Sequence, residues 1–366
     1  MNTDAVDFLK IFSIALGGAL ALSASAETKL FWTATDGTGA YVVCANSDGS
    51  SPANIVSGAA NILGPNGLET ANGLLYWPDQ QLNAVRQANP DGSGVTSFAA
   101  AVTDPYDVFG AGTQVYWTSR TANYVDRKQT NGSGYLRLLS SPNVTAPFAV
   151  EVTSSNLYWS RVDSGSSGSI IRSDLNGANQ VTLIPNVVVY DFQVTSNYLY
   201  FADIRFPGGA LKRANLDGTG ITNLVVNQSG GVDLIHGLCV TSNAIYWAEY
   251  NTFTGGGIRR ANLDGSSRID LYNAPPNTGI RGVVVLDVAT APPTVPAPVF
   301  TNAAAGPAGF AYTLLIQPGN TYRVYTSANL TNWTEITNFL GAGTSITFTN
   351  PIPPGATSLF FRARTP

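Results

Sequence analysis

The sequence is short of charged residues and histidine, and each shortage excludes a class of protein. Asp, Glu, Lys and Arg make up only 11% of the 366 residues, against about 25% in ordinary soluble proteins. The net charge is −4. No basic surface is therefore available for a phosphate backbone, and we expect no nucleic-acid partner. The single histidine, His236, excludes a metal site built from several histidines.

Common catalytic motifs are also missing. The chain contains no Gly-x-Ser-x-Gly elbow, no His-Glu-x-x-His pair and no phosphate-binding glycine-lysine loop, and each of these motifs supplies a specific part of a reaction centre. Its acidic residues are scattered along the chain rather than grouped. We therefore expect a protein without a cofactor, without a metal and without catalytic residues.

The abundance of glycine, proline and hydrophobic residues indicates a β-rich protein outside the cytoplasm. There are 37 Gly and 21 Pro, and 44% of the residues are hydrophobic and 10% aromatic. The hydrophobic fraction is large enough to fill a core, which excludes a disordered chain. Frequent Gly, Pro, Asn and Ser are typical of many short strands joined by tight turns.

The first 26 residues read as a secretory signal peptide. Lys10 precedes an apolar run over residues 11–22, and Ala24-Ser25-Ala26 offers small residues for cleavage before Glu27. The run is short for a membrane anchor, which is the alternative interpretation. The sequence predicts an exported protein, periplasmic, cell-surface or secreted, with no transmembrane segment after cleavage.

An aromatic pair recurs along the chain at a nearly constant interval. It closes the stretches LFWT, LLYWP, QVYWT, NLYWS, YLYFA and AIYWA, with steps of 45, 40, 42, 42 and 46 residues. We expect the second aromatics to fill cores between neighbouring sheets, the alternative being an aromatic ligand box. These residues are Trp32, Trp77, Trp117, Trp159, Phe201 and Trp247.

A second column follows each pair and consists only of Asp-Gly or Asn-Gly, from Asp48-Gly49 to Asp264-Gly265. This dipeptide is the strongest short-range hairpin signal because it tolerates positive φ. Further strands lie before each aromatic pair and after each turn, as in Pro147–Val152 and Ile269–Leu271. Four short strands in each unit of about 40–45 residues predict a β-propeller blade.

The ends of the array predict how the ring closes. The first repeat has no strand before Leu30, whereas residues 280–288 match the first strand of a repeat and have no aromatic pair after them. If this last strand completes the first blade, the exposed sheet edge disappears. The predicted fold is thus all-β, with a six-bladed propeller over residues 27–289.

With these repeats, the chain resembles the YWTD β-propeller of the low-density-lipoprotein receptor family (class B repeats), in a bacterial, exported form. The stretches GGIRRANLDGSS and GALKRANLDGTG carry the resemblance. It implies a binding or scaffold module without enzymatic activity. The family's acid after Tyr-Trp is kept only at Asp79 and Asp203 and, as a glutamate, at Glu249. In the family that acid serves structure.

The C-terminal part predicts a second, small domain. Residues 290–298 are rich in proline and read as a stiff linker. Residues 299–366 contain five alternating segments typical of a small β-sandwich. The pattern YRVYTSANLTNWTEI resembles a C-terminal module of exported proteins from Verrucomicrobia-like bacteria. That resemblance implies attachment, sorting or surface display, and a domain that only packs against the chain is the alternative.

Two columns of residues mark one end of the predicted channel, because they lie where each repeat enters its innermost strand, eleven and ten residues before the aromatic. They combine aromatics, an amide, a histidine, an arginine and two carboxylates, a mixture that suits a binding surface. The alternative is that the aromatics only plug the channel and that Arg281 pairs with an aspartate. The candidate residues are Asn66, Tyr106, Asp107, Phe148, Tyr190, Asp191, His236 and Arg281.

Three functions remain open from the sequence. The first is a non-catalytic binding or scaffold protein that recognises a protein or a polysaccharide through one propeller face. The second is a lactonase-like or lyase-like enzyme in which Asp107, Asp191, Asn66 and His236 hold a divalent cation. The third is a structural cell-surface component, displayed through the C-terminal domain. The two cysteines, Cys44 and Cys239, are expected to be unpaired and buried, since they fall in distant strands.

Overall fold

The computed structural model describes residues 10–13, 26–164, 167–205, 209–226, 234–251, 254–289, 298–316, 318–354, 356 and 358–364. Most of the predicted signal peptide and linker therefore lie outside the described residues. The described part of the chain contains no helix of the length and hydropathy needed to cross a membrane. It divides into two compact units, residues 27–288 and a smaller unit that includes strand β1 (Lys10–Ser13) and the chain after residue 288.

The larger unit consists of short strands in chain order. They are β2 (Ala26–Thr35), β3 (Ala40–Asn46), β4 (Ala53–Val56), β5 (Glu69–Ala71), β6 (Leu74–Asp79), β7 (Ala84–Ala88), β8 (Thr96–Ala100), β9 (Pro105–Ala111), β10 (Gln114–Ser119), β11 (Tyr124–Gln129), β12 (Leu136–Ser140), β13 (Pro147–Val152), β14 (Asn156–Ser164), β15 (Ser167–Asp174), β16 (Val181–Pro185), β17 (Val189–Val194), β18 (Tyr198–Asp203), β19 (Ala210–Asn215), β20 (Thr222–Val226), β21 (Leu234–Val240), β22 (Ala244–Tyr250), β23 (Gly257–Asn262), β24 (Ile269–Asn273) and β25 (Gly279–Ala289).

These strands form four-stranded antiparallel sheets, the blades of a β-propeller. Blades two to six are β5–β8, β9–β12, β13–β16, β17–β20 and β21–β24. Blade one has the order β25-β2-β3-β4, so its innermost strand comes from the far end of the unit. A bridge between Tyr250 and Gly279 joins blade six to it. The predicted fold class, including closure by the last strand, is confirmed.

The aromatic pairs build the core between each blade and its neighbours. In every pair the first aromatic packs toward the next blade and the second toward the preceding one. Tyr76, for example, shares a cluster with Trp117 of blade three, and Tyr246 of blade six shares one with Trp32 of blade one. The structure places all six second aromatics in these cores, each at most 1% exposed. Trp117 additionally lines a cavity between blades two and three.

The Asp-Gly and Asn-Gly turns join the third and fourth strands of each blade. All six glycines have φ between +82° and +87°, a conformation that costs other residues energy. Gly92 has a second reason to be glycine, because a Cβ there would lie 2.1 Å from the carbonyl oxygen of Ile55 in the preceding blade. Most of these turns thus also pack against the neighbouring sheet.

The smaller unit is a β-sandwich. Its strands are β1, β26 (Val299–Gly306), β27 (Gly309–Leu315), β28 (Thr321–Ser327), β29 (Thr334–Leu340), β30 (Ser345–Asn350) and β31 (Ser358–Arg364). One sheet has the order β26-β27-β30 and the other β1-β31-β28-β29. Tyr312 and Leu314 of the first sheet pack on Tyr322, Val324 and Phe361 of the second.

Strand β1 lies within the predicted signal peptide. Its residues pair in parallel with β31, from Lys10 opposite Ser358 to Ser13 opposite Phe361. Cleavage after Ala26 would remove this strand from the edge of the sandwich. The signal peptide and the domain boundaries stay predictions.

Candidate functional site

Most candidate residues are positioned by the start of an innermost strand, and Asn66 lies three residues before β5. Tyr106, Phe148 and Tyr190 stand at the second residue of β9, β13 and β17. His236 and Arg281 stand at the third residue of β21 and β25. Because the blades surround one axis, these equivalent positions meet at one mouth of the central channel.

At this mouth the aromatic side chains form a continuous row. The ring centroids of Tyr106 and Phe148 are 4.5 Å apart, those of Phe148 and Tyr190 5.2 Å, with the rings stacked, and those of Tyr190 and His236 4.8 Å. Tyr250, which the sequence did not single out, continues the row at 5.0 Å from His236. Such distances are those of favourable aromatic pairs. We call these five residues the mouth row.

Two arginines flank the mouth row. The guanidinium of Arg281 lies 5.0 Å from the ring centroid of Tyr250 and donates to Oδ1 of Asn66. Arg120 lies 5.3 Å from the ring of Tyr106 at the other end. The alternative in which Arg281 pairs with an aspartate is therefore wrong: its partner is a neutral amide and an aromatic face.

The mouth row is packed rather than open. Tyr106 and Phe148 are each 7% exposed, while Tyr190, His236 and Tyr250 are partly exposed. The cavity beneath has a volume of about 10 Å³, about the smallest that holds one water molecule. Burial, reinforced by the charge of Arg281, lowers the pKa of His236 to about 3, so this imidazole is neutral at physiological pH.

Deeper in the channel lies a group of carboxylates that sequence reasoning found only in part. Asp107 and Asp191 line a second cavity of about 10 Å³ together with Glu69 and Glu151. Burial raises the pKa of Glu69 to about 7 and that of Asp107 to about 7. It also raises the pKa of Glu151 and Asp191 well above the ordinary range. No ion pair among the described residues involves these four carboxylates.

Three of these carboxylates join neighbouring blades. Oδ2 of Asp107 accepts from the backbone N–H of Val150 at 2.9 Å. Oε2 of Glu151 accepts from that of Val194 at 2.7 Å, and Oδ2 of Asp191 from Leu238 at 2.6 Å. Each bond satisfies an N–H on the innermost strand of the next blade. The channel acids therefore have a structural task, because an unpaired buried N–H costs stability.

The cation site required by the enzyme alternative is not assembled. Within the described part of the chain, no three His, Cys, Asp or Glu side chains are arranged to hold a metal ion. Asp107, Asp191 and His236 belong to that part and do not form such a group. The arrangement can stack, accept hydrogen bonds and pair with anions, and its four carboxylates converge on a cavity of only about 10 Å³.

Simple geometric signals lead to the residues that sequence reasoning missed. Glu69 and Glu151 lie two residues beyond the column that contains Asp107, and alternate residues of a strand share a face. Tyr250 ends β22, which pairs antiparallel with the start of β21, Leu234 lying opposite Tyr250. The end of each second strand therefore belongs to the same mouth, and Arg120 lies there for the same reason.

A larger cavity, about 290 Å³, lies between blades two and three, and polar side chains at its wall are already paired. The carboxylate of Asp126 accepts from Arg137 Nε at 2.9 Å and from the Tyr135 hydroxyl at 2.8 Å. Lys128 donates to the carbonyl oxygen of Phe98 at 2.8 Å. These groups are held by one another, so the mouth row remains the stronger candidate.

The two cysteines are unpaired, as expected, but they are partly exposed rather than fully buried. Burial raises the pKa of the Cys239 thiol to about 12 and also raises that of Cys44. Neither thiol is therefore activated as a nucleophile.

The comparisons with known proteins support the fold. A scan against protein-family models finds no match, and a search of curated proteins finds none. Among solved structures, the chain is similar to a chain in the crystal structure of a nidogen/laminin complex, with a TM-score of 0.56 and 15% identity over 72% of this chain and 99% of that one. The chain has the β-propeller fold. At this identity the likeness extends to the fold alone.

Proposed function

We propose that this chain is a non-catalytic binding module that works outside the cytoplasm. Its propeller recognises a protein partner at the mouth row, and its C-terminal sandwich serves attachment or display. The bacterial, exported form of the YWTD family and the Verrucomicrobia-like module remain part of this proposal, on the sequence patterns described above.

The observation that carries the proposal is the mouth row with its two arginines. Tyr190, His236 and Tyr250 are partly exposed and held in fixed positions by their neighbours, and Arg120 and Arg281 stand at the two ends. Aromatic and arginine side chains are enriched at protein interfaces. Rigid aromatics also lose little conformational entropy when a partner binds.

The shape of the mouth favours a protein over the alternatives. A polysaccharide bound in the channel mouth would need room for its sugar rings, and the cavity at the mouth row measures only about 10 Å³. An enzyme needs a space in which acids and bases reach a substrate. Asp107, Asp191 and Glu151 surround a cavity of only about 10 Å³ and accept hydrogen bonds from backbone N–H groups of neighbouring blades. A similar fold also occurs in a complex of two proteins, nidogen and laminin, which supports the same choice.

The experiment is affinity capture from the culture medium and cell-surface fraction with four baits. They are the wild type, Tyr250→Ala, Arg281→Glu and a matched control, Tyr135→Ala, which truncates a tyrosine that is 57% exposed on the outer rim. We expect one protein that the wild type and the control retain and both mouth variants lose, with binding of the purified protein at least tenfold weaker. If the mouth variants retain every captured protein, the proposal is wrong. If the wild type captures no protein, the result favours the structural cell-surface role.

A further inference from the structure

The three arginines of residues 299–366 all lie on one face of one sheet of the sandwich. Residues 299–366 contain Arg323, Arg362, Arg364 and one acid, Glu335, with no lysine or aspartate. Arg323 lies directly opposite Arg364 in the pairing of β28 with β31. Strand alternation places these arginines on the side away from the core, to which Val324 and the other inward-facing residues belong.

Aromatic rings, not carboxylates, hold two of these arginines. The guanidinium of Arg362 lies 4.3 Å from the ring centroid of Trp333 and 4.9 Å from that of Tyr325. Arg364 lies 4.8 Å from the same tyrosine ring and donates to its hydroxyl at 2.8 Å. The indole N–H of Trp333 donates to the Leu330 carbonyl oxygen at 2.9 Å, which fixes the ring.

The positive charges of this face are largely uncompensated. Arg323 and Glu335 approach to 3.7 Å, with side chains about 40% exposed, and such exposed pairs are weak. Among the described residues, Arg362 has neither a hydrogen bond nor an ion pair. Like charges placed opposite each other destabilise a sheet. A bound anion would therefore neutralise the positive charge of these arginines and stabilise this face.

We propose that this face binds an acidic polysaccharide, with uronate carboxylates on the guanidinium groups. A guanidinium that stacks on a ring, as that of Arg362 does, keeps its in-plane N–H groups free for bidentate bonds to a carboxylate. Arg364 uses Nε and Nη2 on the Tyr325 hydroxyl and has its other N–H groups left for an anion. The partly exposed indole of Trp333 offers an apolar platform to a sugar ring. An anionic membrane surface fits less well, because such surfaces recruit clusters of about four to eight basic residues.

This inference rests on the attachment role proposed for the sandwich and is independent of the propeller mouth. The test measures binding of the purified chain to polygalacturonate by biolayer interferometry, with neutral dextran and phosphatidylglycerol vesicles as comparison ligands. We expect binding to polygalacturonate only, at least tenfold weaker for the double variant R362Q/R364Q and severalfold weaker for Trp333→Ala. Arg161→Gln is the control, since Arg161 is an exposed arginine of the propeller that pairs with Asp163.

Three results overturn the inference: unchanged affinity of R362Q/R364Q, binding to vesicles instead of polygalacturonate, and no binding of the wild type at low salt. If the double variant R362Q/R364Q has a lower melting temperature than the wild type, R362K/R364K is tested in its place. That variant keeps the charge and loses the planar stack, so equal affinity to wild type also contradicts the inference. Capture of a protein at the mouth row is expected to be unchanged in all of these variants, which separates the two proposals.

Discussion

The channel acids predict a specific pH dependence of propeller stability. Glu69 accepts from the backbone N–H of Thr70 at 2.7 Å and lines the cavity with Asp107, Glu151 and Asp191. Burial raises its pKa from 4.5 to about 7. The folded chain therefore holds this proton more tightly than the unfolded chain does. The resulting stabilisation is fully present below about pH 4.5 and is lost as the pH rises through 7.

The magnitude follows from the shift, since one pKa unit corresponds to about 1.4 kcal/mol. For Glu69 the term amounts to about 3 kcal/mol between pH 4.5 and pH 8. Glu69→Gln keeps an oxygen for the Thr70 N–H and removes the titration. We expect the variant to be more stable than wild type at pH 8, with a flatter dependence of the free energy of unfolding on pH.

The assay is urea unfolding at pH 5, 6, 7 and 8, followed by tryptophan fluorescence, because five of the six tryptophans belong to the propeller. Glu27→Gln is the matched control, since this glutamate is about half exposed. If the pH profiles of Glu69→Gln and wild type run parallel, Glu69 is not a buried, uncompensated acid and the reasoning is refuted.

Three further predictions concern the blades. Gly92→Ala is expected to destabilise the propeller by at least about 1 kcal/mol more than Gly132→Ala. Both glycines have similar positive φ, but of the two only Gly92 faces a carbonyl of the preceding blade; equal urea midpoints would contradict this. Asp79→Ala is expected to lower the free energy of unfolding by about 3 kcal/mol or more. The buried carboxylate accepts from the N–H groups of Leu63, Gly64 and Leu82 at 2.8–3.0 Å. An unchanged melting temperature would argue against these three hydrogen bonds. Cys239 is expected to resist iodoacetamide at pH 8 until the chain is unfolded, because burial raises its pKa to about 12. Mass spectrometry measures alkylation of the peptide that contains Cys239, and alkylation of the folded chain would contradict the prediction.

The propeller could be predicted from the sequence because its signals are local and repeated. Asp264-Gly265 and its equivalents each indicate a hairpin turn by two adjacent residues. The aromatic pair before each turn gives the length of the repeat. The closing strand, residues 279–289 in the structure, was recognised because it matches a repeat that has no continuation. Strand β26, Val299–Gly306, was missed because its run of alanines and its exposed side chains give no alternation of polar and apolar residues.

The interior of the site was harder to predict, since it depends on how blades meet. Which columns form the mouth followed from the repeat, but the partner of Arg281 did not. Asn66 and Tyr250 lie in other blades, and only the closed ring brings both to the guanidinium. The inter-blade bonds of Asp107 and Glu151 likewise depend on the distance between strands that are far apart in the chain.

The most direct test of the central claim is site-specific photo-crosslinking from the mouth row. A photoreactive phenylalanine analogue replaces Tyr250 in one chain and Tyr135, on the outer rim, in another, and each is irradiated in the native cell-surface fraction. The account predicts a discrete protein adduct from position 250 that position 135 does not give. Adducts of equal yield from both positions, or none from position 250, would contradict a recognition surface at the mouth of the propeller.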